Sequence, residues 1–298
     1  MKKLSCYLTL LLTIIFISGC KEKTTHKEPL KISVSSWVGY TPLIHSYKMG
    51  YLKDTNIEIV PTSSLETSIE FIKRDVVDGF CSTQRGFSIV KKLIDVTPIF
   101  LFNKSYGGDV ILSNLPKERL LSLKDTTVDV YMEVESVNSI MFEQFKKHYK
   151  LDSLRFNIIN KTQNTINVKD ITKDSILVSY SPFSDKFEKD GFYEIDNSKN
   201  PIYHIIDGLF VKSSTLKHNK QTFKILLESL NKSIKELQTN PKAFYEVVKQ
   251  YLEDQSYEEF RDSLSNIKFV NSDRDEIFDY LKMSHIPTNE ILNETHHD

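Results

Sequence analysis

Cysteine is scarce in this chain of 298 residues, which contains only three. Cys6 and Cys20 lie within the first twenty residues, so the rest of the chain has Cys81 alone. A single thiol cannot form an internal disulfide, and the folded part must therefore be held together by packing. Cys81 stands between Phe80 and Ser82 in an apolar stretch, which is typical of a buried, unreactive cysteine rather than a catalytic nucleophile.

The chain also lacks an excess of charge of either sign. Its 39 Lys and Arg residues nearly balance 40 Asp and Glu residues, for a formal net charge of -1. Nucleic-acid binding usually requires a basic surplus, so no nucleic-acid partner is expected. With 40% hydrophobic and 27% charged residues, the composition is that of a folded globular protein rather than a disordered chain.

Motifs that mark enzyme chemistry are missing from the sequence. It has no Gly-x-Ser-x-Gly, no phosphate-binding loop and no dinucleotide fingerprint. The 8 histidines are scattered, and none forms a His-x-x-x-His or Glu-x-x-His pair with a credible carboxylate partner. We therefore expect neither a metal nor a cofactor, and we predict a protein that is not an enzyme.

The chain begins with the features of an export signal. Lys2 and Lys3 precede an apolar run over residues 4–17, and Ser18-Gly19-Cys20 follows. A run of about 14 apolar residues after a positive start is typical of a secretion signal, because a membrane span needs about 20. Small residues before Cys20 give the layout of a bacterial lipoprotein signal, the alternative being an ordinary secretory signal followed by a chance cysteine.

This layout predicts where the mature protein works. We expect cleavage after residue 19 and a diacylglycerol on Cys20, which would hold the protein on a bacterial membrane outside the cytoplasm. Residues 20–30 are polar and charged and are predicted to be a tether.

Strand and helix patterns alternate after the tether. Apolar and β-branched runs predict strands over residues 30–34, 57–60, 76–82, 96–102, 109–113, 127–131, 155–160, 175–180 and 204–211. Helical periodicity, caps and breakers predict helices over residues 41–50, 65–74, 84–93, 136–149, 220–237, 241–252, 257–264 and 272–283, and a further helix that begins near Pro182. The alternation predicts an α/β fold with parallel sheets in two units that leave a cleft between them.

Ligands of open α/β sheets bind beyond the carboxyl ends of the strands, so the residues that follow each strand are the candidates for a binding site. Aromatic faces could stack on a solute, and hydroxyls and carboxylates could bind its polar groups. Each candidate also has a structural alternative, such as plugging the core, capping a helix or lying in a solvated loop. The candidate ligand-binding residues are Trp37, Gly39, Tyr40, Ser82, Thr83, Asp109, Glu133 and Tyr180.

Five stretches between residues 31 and 250 form a recognisable series. They are Trp37-Val38-Gly39-Tyr40-Thr41-Pro42-Leu43, Gly50-Tyr51-Leu52, Val77-Asp78-Gly79 with Ser82-Thr83, Gly107-Gly108-Asp109-Val110 and Ile206-Asp207-Gly208-Leu209-Phe210-Val211. These stretches resemble the NitT/TauT-type solute-binding proteins of ABC importers, whose members serve nitrate, sulfonates, taurine and thiamine precursors. The first is similar to the family's opening Trp-x-Gly-Tyr-x-Pro-Leu, and the other four follow in the family's order.

The resemblance implies a type II periplasmic-binding-protein fold, with two α/β lobes around a cleft and two hinge strands. Lobe 1 would comprise residues 31–112 and 206–298, and lobe 2 residues 113–205. It also implies that the partners are a small-molecule ligand and the transmembrane subunit of an ABC permease. The binding protein would be a monomer anchored to the membrane by its lipid.

The ligand class stays open at this point. Trp37, Tyr40, Asp109 and Glu133 favour a heteroaromatic or amine-bearing solute. If Arg85 pointed inward, a sulfonate or carboxylate would fit instead, although a surface position on its helix is favoured. Two other functions also remain possible, namely a non-transporting surface or sensing lipoprotein and an enzyme of the thiamine-precursor type.

Overall fold

The structure is a computed structural model that describes residues 28–269, 281–282 and 287. The predicted signal and most of the tether lie outside the described residues, as does the helix predicted over residues 272–283, apart from residues 281–282. Within the described part, no helix has both the length and the apolar character needed to cross a membrane.

Strands and helices alternate through the first two thirds of the chain, as predicted. The first part contains β1 (Leu30–Val34), α1 (Thr41–Lys48), β2 (Ile57–Pro61), α2 (Leu65–Lys73), β3 (Gly79–Thr83), α3 (Gln84–Val90) and β4 (Val96–Ser105). The middle part contains β5 (Asp109–Ser113), α4 (Lys117–Ser122), β6 (Thr127–Met132), α5 (Val137–His148), β7 (Arg155–Asn160), β8 (Ser175–Tyr180), α6 (Phe183–Lys189) and β9 (Tyr193–Asn197). The last part contains β10 (Ile206–Lys212), α7 (Ser213–His218), α8 (Lys220–Thr239), α9 (Pro241–Val248), α10 (Tyr257–Ser265) and β11 (Ile267–Phe269).

These strands form two sheets, and each sheet with its helices is one lobe. The sheet of lobe 1 has the order β11-β4-β10-β3-β1-β2, and the sheet of lobe 2 has the order β7-β6-β8-β5-β9. The chain leaves lobe 1 after β4 and returns with β10, so the last segment completes the first sheet. The α/β fold with two lobes is confirmed.

The expectation of parallel sheets is wrong in part, because both sheets are mixed. Strand β1 runs parallel to β2 and β3, but β10 is antiparallel to β3 and β4. In lobe 2, β5 is antiparallel to β8 and β9. In lobe 1 the reason is that β10 returns from the second lobe without a helical crossover and enters the sheet between β3 and β4, antiparallel to both.

Each face of the first sheet packs on a different set of helices. Cys81 joins a core with Leu43 of α1 and Phe223 of α8, whereas Phe80 joins a core with Ile69 of α2. Because side chains alternate along a strand, Thr83 shares the face of Cys81 and Ser82 shares the face of Phe80. This alternation decides which of the polar residues at the end of β3 reach the candidate site.

Side-chain caps start the C-terminal helices where the sequence predicts them. The Asn240 side chain accepts a hydrogen bond from the Ala243 N–H, and Pro241 opens α9. Ser256 and Glu259 form a reciprocal capping box at the start of α10. These caps satisfy backbone donors that the first helical turn leaves without partners.

Candidate functional site

Trp37 lies at the contact between the two lobes. It follows β1 and precedes the short 3-10 turn Val38–Tyr40 that leads into α1. Its side chain is only 3% exposed, and its ring stands edge-on to Tyr180 of lobe 2, with centroids 6.4 Å apart. A Cβ atom on Gly108, which precedes β5, would come within 2.3 Å of the Trp37 ring. The indole is therefore buried where the lobes meet, and it also belongs to the core cluster that contains Leu43 of α1.

Position 39 has room only for glycine, because two polar groups occupy the space that a side chain would need. A Cβ atom at this position would lie 2.0 Å from the Asn103 Nδ2 and 2.6 Å from the Trp37 Nε1, closer than real Cβ contacts come. Gly39 thus allows the end of β4 to approach the loop after β1.

Three polar side chains form a row across the end of the first sheet. Asp207 of β10 pairs with Thr83 of β3 on one side and with Asn103 of β4 on the other. Directly paired residues of antiparallel strands present their side chains on the same face. We call Thr83, Asp207 and Asn103 the polar row.

The polar row is buried, yet several of its atoms have no hydrogen-bond partner within the protein. These atoms are the Thr83 Oγ1, the Asp207 Oδ2 and both amide atoms of Asn103. The Trp37 Nε1 also lacks a partner of ordinary geometry, although it lies near enough to Asp207 to lower the pKa of that carboxyl. A buried polar atom without a partner costs about 1–3 kcal/mol, so this concentration is typical of a place where another molecule supplies the bonds.

Two buried carboxyl groups, Asp207 of the polar row and Asp109, lie close enough for the charge of Asp109 to act on Asp207. The Tyr40 hydroxyl donates a hydrogen bond to the Asp207 Oδ1 at 2.5 Å. Burial raises the pKa of Asp207 well above its usual value, and the negative charge of nearby Asp109 raises it further. Burial likewise raises the pKa of Asp109 to about 7, opposed by a hydrogen bond with Ser105. Both groups therefore hold protons more tightly than an exposed aspartate does.

Lobe 2 meets the start of helix α2 through Glu133 and Tyr180. The Tyr180 hydroxyl donates to the Glu133 Oε1 at 3.3 Å and accepts from the Leu65 N–H at 3.4 Å. The Glu133 Oε2 accepts from the Glu66 N–H at 3.4 Å. These bonds join the lobes, because Leu65 and Glu66 belong to lobe 1.

Glu133 is fully buried in this contact. Desolvation raises its pKa to about 7, and the main opposing effect is a hydrogen bond from the Gln163 N–H, whose length to Oε1 is 3.2 Å. The carboxylate also lies at the N-terminus of α2, where the helix dipole favours negative charge. The protein thus supplies its own anion to this helix terminus.

The structure brings most of the predicted site residues together. Trp37, Gly39 and Tyr40 lie beside the polar row, of which Thr83 is a member. Asp109 lies close enough to raise the pKa of both Tyr40 and Tyr180. Glu133 and Tyr180 bond each other and lobe 1, as described above.

Other residues considered from the sequence lie elsewhere. Ser82 is on the opposite face, where a Cβ on Gly86 of α3 would come within 2.0 Å of its Oγ. Tyr106 is 37% exposed and lies under the Lys268 ammonium. Arg85 lines a groove with Ser139 and other residues of α5.

Sequence reasoning missed Asn103 and did not include Asp207 among the candidate ligand-binding residues. Asn103 lies within β4, beyond the predicted end of the strand, directly after the apolar residues 99–102. An uncharged polar side chain at the end of a buried strand was the available signal. What could not be seen was the register that places it beside Asp207.

The described residues offer little for covalent or metal chemistry. Burial raises the pKa of the Cys81 thiol well above its usual value, which disfavours the reactive thiolate. Among residues 28–269, 281–282 and 287, no group of three His, Cys, Asp or Glu residues is placed to hold a metal ion. The arrangement is suited to binding a small polar molecule between the lobes.

Comparisons with known proteins establish the fold. No family model and no curated protein sequence matches the chain. Solved structures do match it. The ligand-binding component of an ABC-type import system from Staphylococcus aureus, solved with zinc bound, has a TM-score of 0.65 at 15% identity and covers 89% of this chain and 96% of its own.

Two further structures show the same architecture. A Candida albicans gene product described as having the generic periplasmic binding protein fold gives a TM-score of 0.63 at 16% identity, over 81% of each chain. The periplasmic aliphatic sulphonate-binding protein of Escherichia coli gives 0.61 at 9% identity, over 90% of this chain and 91% of its own. The periplasmic-binding-protein fold predicted from the sequence resemblance is confirmed.

Proposed function

We propose that this protein is the solute-binding component of an ABC importer, working outside the cytoplasm and held to a bacterial membrane through lipid on Cys20. It captures a small organic solute between its lobes and delivers it to a permease as a monomer. The observation that carries this proposal is the polar row, because its unpartnered atoms are buried where the lobes meet. Similar structures that are described as binding components of import systems support it.

Capture would work by movement of the lobes about the two segments that join them, residues 106–108 and 198–205. The contacts of Tyr180 and Glu133 with the start of α2 exist only when the lobes are together. A solute that binds the closed form better than the open form shifts the population toward closure. Binding and compaction should therefore occur together.

The experiment is a thermal-shift screen of amines, heteroaromatic compounds, sulfonates and nitrate, followed by small-angle scattering of any complex. A solute at 100 times its dissociation constant should stabilise the protein by about 2.7 kcal/mol, and its complex should have a smaller radius of gyration. A solute that stabilises the protein without compaction would contradict lobe closure. Deletion of the gene should abolish uptake of that solute, and unchanged uptake would contradict a role in import.

Tyr180→Phe tests the contact between the lobes. The change removes one hydroxyl that links Glu133 to Leu65, so we expect about 1 kcal/mol less stabilisation of the closed form and roughly fivefold weaker solute binding by calorimetry. Tyr51→Phe is the matched control, because the Tyr51 hydroxyl donates to the Glu236 carboxylate at 2.8 Å within lobe 1, outside the contact between the lobes. Equal loss of affinity in both variants would count against the contact.

A further inference from the structure

We propose that the site between the lobes selects a small organic cation, a protonated amine on a flat or aliphatic body, and rejects anions. This inference rests on the proposed function, since it names the chemical class of the captured solute. It narrows a choice that the sequence leaves open between amines and sulfonates.

The first step is that the carboxyl groups at the polar row have too few hydrogen-bond donors and no cationic partner in the contacts described above. The Asp207 Oδ1 accepts from a neutral phenol, and the Asp207 Oδ2 is buried without a partner. Asp109 lies near enough for its charge to act on Asp207, and its own hydrogen-bonding neighbour is the neutral Ser105. An ammonium group would supply both the missing donor and the missing positive charge, which makes a charge-assisted hydrogen bond.

The second step is that the anion position at the lobe contact is already filled. Helix α2 has nine residues, and its first backbone N–H groups are directed toward lobe 2. Such a terminus would suit a sulfonate or carboxylate head group. Here the Glu133 carboxylate and the Tyr180 hydroxyl occupy it, so an anionic solute would have to displace a carboxylate of the protein.

The third step concerns two basic side chains that precede or follow the end of β3 in the sequence, Lys73 and Arg85. Lys73, at the other end of α2, pairs with Glu70 and Glu135. Arg85 lies in a groove with residues of α5 that include Glu143. Lys73 is thus already paired with carboxylates, and the groove that Arg85 lines contains no residue of the polar row. Neither contact provides a cation for a sulfonate at Asp207.

The last step is the aromatic wall beside the carboxylates. The Trp37 and Tyr180 rings meet edge-on at an interplanar angle of 83°, and Tyr40 lies against Phe102. Aromatic faces attract cations through the ring quadrupole and also cover apolar surface. An amine whose ammonium reaches Asp207 would place its body against Trp37, because the Trp37 Nε1 lies near the Asp207 carboxyl.

Matched probes test this inference. Propyl, benzyl and pyridylmethyl skeletons, each as the amine, the alcohol and the sulfonate, are compared by thermal shift, calorimetry and small-angle scattering. We expect at least one amine to bind and compact the protein, with its alcohol and sulfonate at least tenfold weaker. A sulfonate or alcohol that binds as well as its amine would overturn the cation inference but leave the binding function standing. If no probe bound or compacted the protein, both proposals would be contradicted.

Asp207→Asn isolates the charge. This variant keeps the shape of the side chain, and we expect about tenfold weaker binding of the amine with little change for the alcohol. Asp129→Asn is the control, because the Asp129 carboxylate accepts from Asn157 at 2.8 Å within the second sheet. If Asp207→Asn does not fold, as judged by circular dichroism, Asp109→Asn provides the same amine-to-alcohol comparison. An unchanged ratio in the folded variant would overturn the inference.

Discussion

Gly108→Ala should hold the two lobes apart and weaken solute binding by roughly 10–100-fold. The added methyl group would lie 2.3 Å from one carbon of the Trp37 ring, 3.0 Å from another and 3.3 Å from the Asn266 carbonyl oxygen. A rigid indole cannot move away without losing its place between the lobes. Overpacking of this kind costs about 1–3 kcal/mol, and because that cost falls on the closed form it reduces the closed population and the affinity together.

Calorimetry and small-angle scattering check this result. The Gly108→Ala protein should have a larger radius of gyration than the unchanged protein when solute is present at the same concentration. Gly50→Ala is a useful comparison, because nothing lies within 4 Å of its Cβ position, yet its φ is +72°. That change should cost about 1 kcal/mol of folding stability and leave affinity intact. A compact Gly108→Ala protein with normal affinity would show that Trp37 does not set lobe closure.

The free energy of unfolding should fall as the pH rises from about 4 to above 7. Asp109 and Glu133 have ordinary pKa values of 3.8 and 4.5, and burial raises both to about 7. Between these values the folded protein binds more protons than the unfolded chain, so stability decreases with pH. Well below pH 4 the two carboxyl groups are protonated in both the folded and the unfolded state, so they do not lower the free energy of unfolding. Above pH 7 they are ionised in both states, and the full cost of burying their charges lowers the free energy of unfolding.

Asp109→Asn should therefore stabilise the protein at pH 8 by on the order of 2–4 kcal/mol, since each pH unit of pKa shift corresponds to about 1.4 kcal/mol. At pH 4 the variant and the unchanged protein should be about equally stable. Urea unfolding at both pH values measures the difference, and Asp152→Asn, a change at an exposed aspartate, is the control. Equal stability of Asp109→Asn and the unchanged protein at pH 8 would show that the buried carboxyl carries no penalty.

Much of the fold could be predicted because local signals matched the final structure. The Thr41-Pro42 pair starts α1, the Ser64 side chain caps α2 by accepting from the Thr67 N–H, and Asn240 starts α9. Strand β9 was missed because its sequence, Tyr-Glu-Ile-Asp-Asn, is mostly polar and shows no apolar alternation. It is a strand because it pairs with β5. Strand β11 was missed because three residues are too few to show a period.

The site was less predictable than the fold. Residue type and position after a strand suggested Trp37, Tyr40 and Thr83, because the ends of neighbouring strands meet at one edge of a sheet. Contacts between lobes depend on tertiary geometry, so neither the bond of Glu133 to the start of α2 nor the place of Asn103 could be read from local sequence. Alternation along β3 places Ser82 and Thr83 on opposite faces of the sheet. Which of the two faces the site became clear only from the cores that contain Phe80 and Cys81.

The segment by which the chain enters the second lobe lies beside the segment by which it leaves. Val110 pairs with Asn197, the Ser198 N–H bonds the Asp109 carbonyl at 2.9 Å, and the Gly107 N–H bonds the Ser198 hydroxyl at 2.7 Å. Residues 109–197 thus form the second lobe as one continuous segment whose two ends lie side by side. A gene fragment for this segment would encode a lobe with neighbouring termini. If the segment were removed from the protein, a short peptide could connect β4 to β10. The same junction is a natural point at which to insert a fluorescent reporter of the relative motion of the two halves.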